Sequence, residues 1–269
     1  MILQNFRYFD FFNAIEMGLY FVIVGYYFLL FAFFLTMRYR TSKKLYWLFW
    51  SILFLCLATA RVFFIAHYFF IPEMSVSKAE LIEYLMLTYR LATLFSWLAI
   101  GCFMGVLGIL LFPPEADEGK ESSGKISPNL KFAIRILFIA IPVFVGVLAF
   151  IMPDSLLMDP DIAEEYNLNI RIQKIWGYPI GRFILLVLVG IFIFIIPFLF
   201  IYLAIKTYGV LRKSYLLNGI GILLYYIGRI SQGAFGILGW SHFEAVGPPL
   251  VILLALLIIV IANNYEQLR

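Results

Sequence analysis

Long apolar runs broken by short polar connections dominate the chain, and seven of them reach the roughly 19 residues that a bilayer core requires. They cover about residues 13–37, 45–70, 79–112, 132–152, 178–205, 214–237 and 247–265. The pattern predicts an all-α polytopic membrane protein, a single seven-transmembrane helix bundle spanning residues 1–269. Local signals refine the ends. Asn13 and Glu16 have the spacing of an N-terminal capping pair, and Ser77-x-x-Glu80 forms a capping box ahead of the third run. That run is longer than a bilayer requires, so it should tilt or project. Pro142 and Pro197 sit inside the fourth and fifth runs as expected bends, and Pro248-Pro249 should open the seventh. The Pro-, Gly- and Ser-rich stretch after Phe112 predicts a flexible connector.

The longest connection, Pro153 to Gly177, is acidic first, at Asp154, Asp159, Asp161, Glu164 and Glu165. It then alternates apolar and polar through Leu168, Ile170 and Ile172. Asp159-Pro160 suits the start of a short helix and the alternation suits a strand. Either arrangement would cap the mouth of the bundle.

Composition supports this class. The chain is 64% hydrophobic and 13% charged, with mean hydropathy +0.97, against about 25% charged residues in soluble domains. The net charge of +4 is modest, and no basic run exceeds a short loop, so nucleic acid is not an expected partner. Loop charge instead sets topology. Arg38, Arg40, Lys43, Lys44, Lys120, Lys125, Lys131, Lys206, Arg212, Lys213 and Arg269 fall on one side, and Arg7, Lys78, Arg171 and Lys174 on the other. Positive charge gathers on the cytoplasmic side, which puts the N-terminus outside and the C-terminus in the cytoplasm of a multi-pass cell-membrane protein. Trp47 and Trp50 at the inner face, and Trp176 and Trp240 at the outer, are expected in the aromatic belts.

Against this background three arginines stand in the wrong solvent. Arg61, Arg90 and Arg229 lie deep in the second, third and sixth runs. An arginine near a bilayer centre costs several kcal/mol, about 2.5–3.5 on insertion scales, unless it faces a cavity, a bundle interior or a counter-ion. At 1.5 Å per residue all three fall in one layer of the outer half, roughly 12–17 Å from the outer ends of their helices. Arg182 sits one turn into the fifth run. The embedded acids are few: Glu16 and Glu83, both near the outer mouth. Tyr225, Tyr226, Arg229 and Gln232 recur at three and four residues and form one polar stripe. For one intramembrane arginine, structural and ligand roles are equally open. Three in one layer, with too few acids, favour a ligand or a wet cavity. The expected pocket is therefore outward-facing and cationic, lined by Arg61, Arg90, Arg229 and Arg182 with Glu16, Glu83, Tyr225, Tyr226 and Gln232 in support. Its guanidinium forks suit carboxylate or phosphate.

Several chemistries lack their residues. No lysine lies well inside a run, which disfavours a retinal Schiff base. His67 and His242 are expected as interfacial histidines, since a zinc site wants three or four ligands. Cys56 and Cys102 sit in apolar runs as small buried hydrophobes. No cofactor, metal site or catalytic constellation is expected, and the chain is not read as an enzyme. Gly101, Gly105 and Gly108 form a small-residue face that permits close helix approach, within the bundle or between copies.

The segment KLYWLFWSILFLCLATARVFFIAHY (Lys44–Tyr68), with Gly228-Arg229-Ile230-Ser231-Gln232, resembles uncharacterised archaeal seven-helix proteins and the membrane regions of some sensor histidine kinases. The resemblance lies in topology and covers the chain loosely. It implies a receptor or sensor and carries no site residues. The expected function is thus a membrane receptor or sensor for a small anionic or amphiphilic ligand, with membrane lipids around it and a cytoplasmic signalling partner. The alternatives are a transporter or lipid carrier and a structural subunit of a membrane complex.

Overall fold

In the computed structural model, which describes residues 11–113, 127–165, 171–237 and 241–264, the chain is an all-α bundle. The long helices are α1 (Phe11–Ser42), α2 (Leu45–Glu73), α3 (Lys78–Leu111), α4 (Pro128–Ile151), α5 (Ile180–Lys206), α6 (Gly209–Ile237) and α7 (Ser241–Asn264). Six have the length and apolarity to cross a membrane: α1 to α5, and α7 through Ala245–Asn264. This is a polytopic membrane protein. The expected seventh span, α6, is a full 29-residue helix, but it carries Asn218, Tyr225, Tyr226, Arg229, Ser231 and Gln232. Among the described residues six helices therefore meet the apolarity of a membrane span, and α6 is not one of them.

Helix ends follow capping chemistry more closely than hydropathy. Ser77 caps α3 through the expected box: its N–H donates to Glu80 Oε2 at 3.1 Å, and Glu80 N–H donates to Ser77 Oγ at 3.4 Å. Ser127 likewise caps α4, with Pro128 at its first position, so α4 starts four residues before its apolar run. Asn13 does not cap α1, because the helix already includes Phe11. At the other end of the chain α7 begins at Ser241, and Pro248 and Pro249 lie inside it rather than opening it. His242 and Glu244 therefore sit in the helix backbone, their side chains outside the described residues, as are residues 238–240 with Trp240.

Neighbours in sequence pack side by side along α1–α2–α3–α4 and α5–α6–α7, and α7 returns against α1. The contact of α5 with α3 and α4 is much slighter, leaving a seam there. Arg38, near the end of α1, donates to the Asn263 carbonyl at 3.0 Å and to Asn264 Oδ1 at 2.7 Å. The C-terminal ends of α1 and α7 thus meet at one end of the bundle. Nearby, Asn263 Nδ2 donates to the fully buried Asn218 Oδ1 at 2.9 Å, joining α7 to α6.

The centre is aromatic. Phe34 stacks on Phe54 at 5.7 Å, and Trp50 meets Phe54, Phe103 and Phe200 at 5.6–6.5 Å. Trp50 is fully buried there, not at an interfacial belt; Trp47 is half-buried and Trp176 exposed. The small-residue face of α3 works inside the bundle: a Cβ at Gly105 would lie 2.7 Å from the Phe49 ring of α2, and Gly101 and Gly108 face α4. A second such face joins α6 to α7, where a Cβ at Gly221 would come 2.7 Å from Ile259 Cγ1. Cys56 and Cys102 are buried free thiols.

Two helices carry wider turns. In α1 the stretch Phe34–Tyr39 is π-helical, with Arg40 N–H donating to Leu35 O five residues back. In α2 the stretch Ala66–Phe70 is π-helical, and Ile71 N–H donates to Ala66 O. The 153–179 connection covers the other end of the bundle from the α1–α7 meeting point. It holds the turn Asp154–Leu157, the short helix Pro160–Glu165 expected from Asp159-Pro160, and a two-residue hairpin pairing Lys174–Ile175 with Tyr178–Pro179. Gly177 at φ 84° turns the hairpin. Leu168 and Ile170 of the alternating stretch lie outside the described residues.

Candidate functional site

Beneath that connection, in the seam, is a half-open cleft of about 610 Å³. One wall is α3, through Tyr89, Thr93, Ser96 and Trp97. The other is α5, through Arg182, Phe183, Leu185, Leu186 and Val189. Phe64 of α2 and Arg229 of α6 close the back, and Asp159, Pro160, Glu164, Lys174 and the hairpin form the roof. The cleft thus has apolar walls, a cationic end and an acidic rim.

The arginines divide into two groups. Arg90 belongs to the roof: one guanidinium nitrogen donates to the Met152 carbonyl at 2.6 Å and to Asp154 Oδ1 at 2.7 Å. Arg182 does the same a few residues further along that connection. It donates to the Leu157 carbonyl, pairs with Asp159 Oδ2 at 2.8 Å, and lies 4.4 Å over the Tyr89 ring. The acids of the loop are therefore the counter-ions of two embedded arginines.

Arg61 and Arg229 form the second group. The Arg229 guanidinium lies 5.4 Å over the Phe64 ring, one turn along α2 from Arg61, and it makes no hydrogen bond or ion pair among the described residues. Arg61 is 5% exposed and stacks 4.1 Å from the Tyr20 ring. Tyr225 and Tyr226 are buried, and Tyr225 accepts a hydrogen bond from the Tyr27 hydroxyl at 3.1 Å.

The structure brings Arg61, Arg229 and Tyr225 into one neighbourhood, and Arg182 shares the cleft with Arg229. Arg90 is tied to the roof, away from the Arg61–Arg229 pair. Glu83 is exposed on α3 beside the exposed Tyr84, and Glu16 is half-buried on α1, one turn from Tyr20. Gln232 is on α6, with its side chain outside the described residues. His67 is buried rather than interfacial, its Nδ1 hydrogen donated to the Leu85 carbonyl at 3.0 Å. Tyr27, Phe64 and Tyr89 carry no signal in the sequence beyond an aromatic texture common to the whole chain. Asp154 and Asp159 are legible in the sequence as loop acids, but their pairing with Arg90 and Arg182 depends on how the loop folds back.

The bundle, its cleft and its buried cation define the class: an all-α polytopic membrane protein whose apolar interior holds a few polar side chains. No protein-family model matches the chain, and comparison with curated proteins and with solved structures finds no match. The likeness to archaeal seven-helix proteins and sensor kinases thus gains no support from them.

Proposed function

We propose that the chain is a seven-helix membrane receptor or sensor whose extracytoplasmic cleft takes a small anionic or amphiphilic ligand. The observation that carries this reading is Arg229, a cation lining the cleft without an acceptor among the described residues. A carboxylate or phosphate between Arg229 and Arg182 would supply the acceptor. The apolar wall of Leu185, Leu186 and Val189 suits an alkyl portion. With α6 as the seventh crossing, the C-terminal ends of α1 and α7 fall on one side, in keeping with Arg38 joining them. The excess of basic loop residues assigns that side to the cytoplasm and the capped cleft to the outside. Ligand binding would draw α3 and α5 together across the slight seam, and the basic inner loops would pass the shift to a separate partner.

Native mass spectrometry of the purified chain and an Arg229→Gln variant tests the site. The wild type should carry an acidic small molecule or lipid that the variant loses. A folded variant that retains the same species at the wild-type level refutes the reading. A transporter is the second reading, favoured by Pro142 and Pro197 inside α4 and α5, two of the three helices that border the seam. Saturable uptake of the retained species into proteoliposomes would select it.

A further inference from the structure

A second cavity lies at the opposite end of the bundle from the cleft, where the C-terminal ends of α1 and α7 meet. It is half-open, holds about 440 Å³, and is walled by α1, α2, α3, α6 and α7. Two cations line it, Arg38 and Lys44. Arg38 donates to the Asn263 carbonyl and to Asn264 Oδ1, and its guanidinium lies 5.3 Å over the Trp47 ring. Those acceptors are neutral and fix the guanidinium at the cavity wall. The Lys44 side chain is exposed and makes no hydrogen bond or ion pair among the described residues. No Asp or Glu is among the described residues that line the cavity. Every described acid lies toward the capped end, at the start of α1, α3 or α7, at the end of α2, or in the 153–179 connection.

A concave surface lined by charges of one sign focuses its potential on ions of the other. The two cations complement each other: Arg38 is a fixed planar fork and Lys44 a mobile point charge, and both suit phosphate oxygens. Ser214 and Tyr215 of α6 add hydroxyl-bearing side chains to the lining. The Tyr46 hydroxyl is not counted, because it already donates to Asn263 Oδ1 at 3.4 Å. Leu110 of α3 and the exposed Leu211 of α6 line the same cavity, so polar and apolar parts of one molecule can share it. Lys44 immediately precedes α2, which places the cavity at the helix ends, the depth at which lipid headgroups lie. We propose that this cavity is a phosphate site, filled by the head of an anionic phospholipid or by the free ion. A phosphate there would tie the turn between α1 and α2 to the start of α6. The site shares no residue with the cleft and stands whether or not the cleft binds a ligand.

The full-length chain in a non-ionic detergent is titrated with dioleoylphosphatidylglycerol in mixed micelles, or with inorganic phosphate, at constant ionic strength. The thermal midpoint is followed. Dioleoylphosphatidylcholine, with the same tails and no net charge, is the control. Saturable stabilisation by several degrees is expected from an anionic probe and not from the control. A response to phosphatidylglycerol alone identifies a lipid head; a response to inorganic phosphate identifies a site open to the free ion. Lys44→Ala should weaken the apparent affinity about fivefold, and Arg38→Gln at least about tenfold. Should Arg38→Gln fail to fold, the exposed Lys44 carries the test. Arg40→Ala removes an exposed arginine two residues from Arg38 that does not line the cavity, and should leave the affinity unchanged. The proposal is overturned by a wild type that responds to neither anion, or by a response that phosphatidylcholine matches. It is equally overturned by an affinity unchanged in Lys44→Ala, or lowered as much in Arg40→Ala, which would show only diffuse attraction to the basic end of the bundle.

Discussion

The roof over the cleft is held by two arginine–carboxylate pairs, and Arg182 with Asp159 is the better placed for measurement. Its side chains are 20% and 34% exposed, and the Nη1–Oδ2 distance is 2.8 Å. A charge-assisted hydrogen bond is worth about 1.5–3 kcal/mol, and the partial exposure of Asp159 screens this to about 1–2 kcal/mol. Arg182→Met also removes the bond to the Leu157 carbonyl and the contact with Tyr89. Its total cost should therefore reach about 3 kcal/mol. A double-mutant cycle of Arg182→Met and Asp159→Asn isolates the pair from what each residue does with other neighbours. Reversible unfolding in detergent–SDS mixtures supplies the free energies, and limited proteolysis reports on residues 154–165. The coupling should be about 1–2 kcal/mol, with faster cleavage of the connection in each single variant. A coupling below about 0.5 kcal/mol, with cleavage unchanged, would show that the pair does not hold the roof.

Two further perturbations probe packing and buried polarity. Gly221→Val places methyl groups against Ile259 and the Ala255 carbonyl, 2.7 and 3.2 Å from the new Cβ. It should destabilise the chain by about 1–3 kcal/mol in the same unfolding assay. Asn218→Leu removes one of the two acceptors of Asn263 Nδ2, at a fully buried position of α6. The Asn263 amide keeps its bond to the Ile259 carbonyl at 2.9 Å, so the loss of one buried acceptor should cost about 1 kcal/mol in that assay, and Asn263→Leu added on top should recover part of the loss.

What could be read from the sequence follows the range of the forces involved. Long apolar runs specify helices locally, so the bundle and six membrane-length helices were legible, as was the Ser77–Glu80 box. Ser127 was overlooked because polar residues follow it, yet a cap and Pro128 suffice to start α4 before the hydrophobic stretch. Burial depth was legible for Arg61, which needs only its apolar neighbours in sequence. The partner of Arg90 was not, since Asp154 lies 64 residues away in a loop whose return path depends on tertiary contacts. Trp50 marks the same limit: a tryptophan near the end of an apolar run suits a belt or a core equally, and only the meeting of Phe34, Phe103 and Phe200 around it decides.

The wider turn at Ala66–Phe70 has a consequence for how α2 tolerates length changes. A π turn uses one residue more than an α turn over the same arc, so it absorbs what amounts to a single inserted residue. Deleting one residue there would restore regular α winding over the same arc and leave the segments on either side in phase. Trp50, Phe54 and Arg61 on one side and Ile71 on the other, all buried, would then keep their faces. The wider turn thus lets α2 carry one residue more between the layer holding Arg61 and the covered end of the bundle without turning either away from the core.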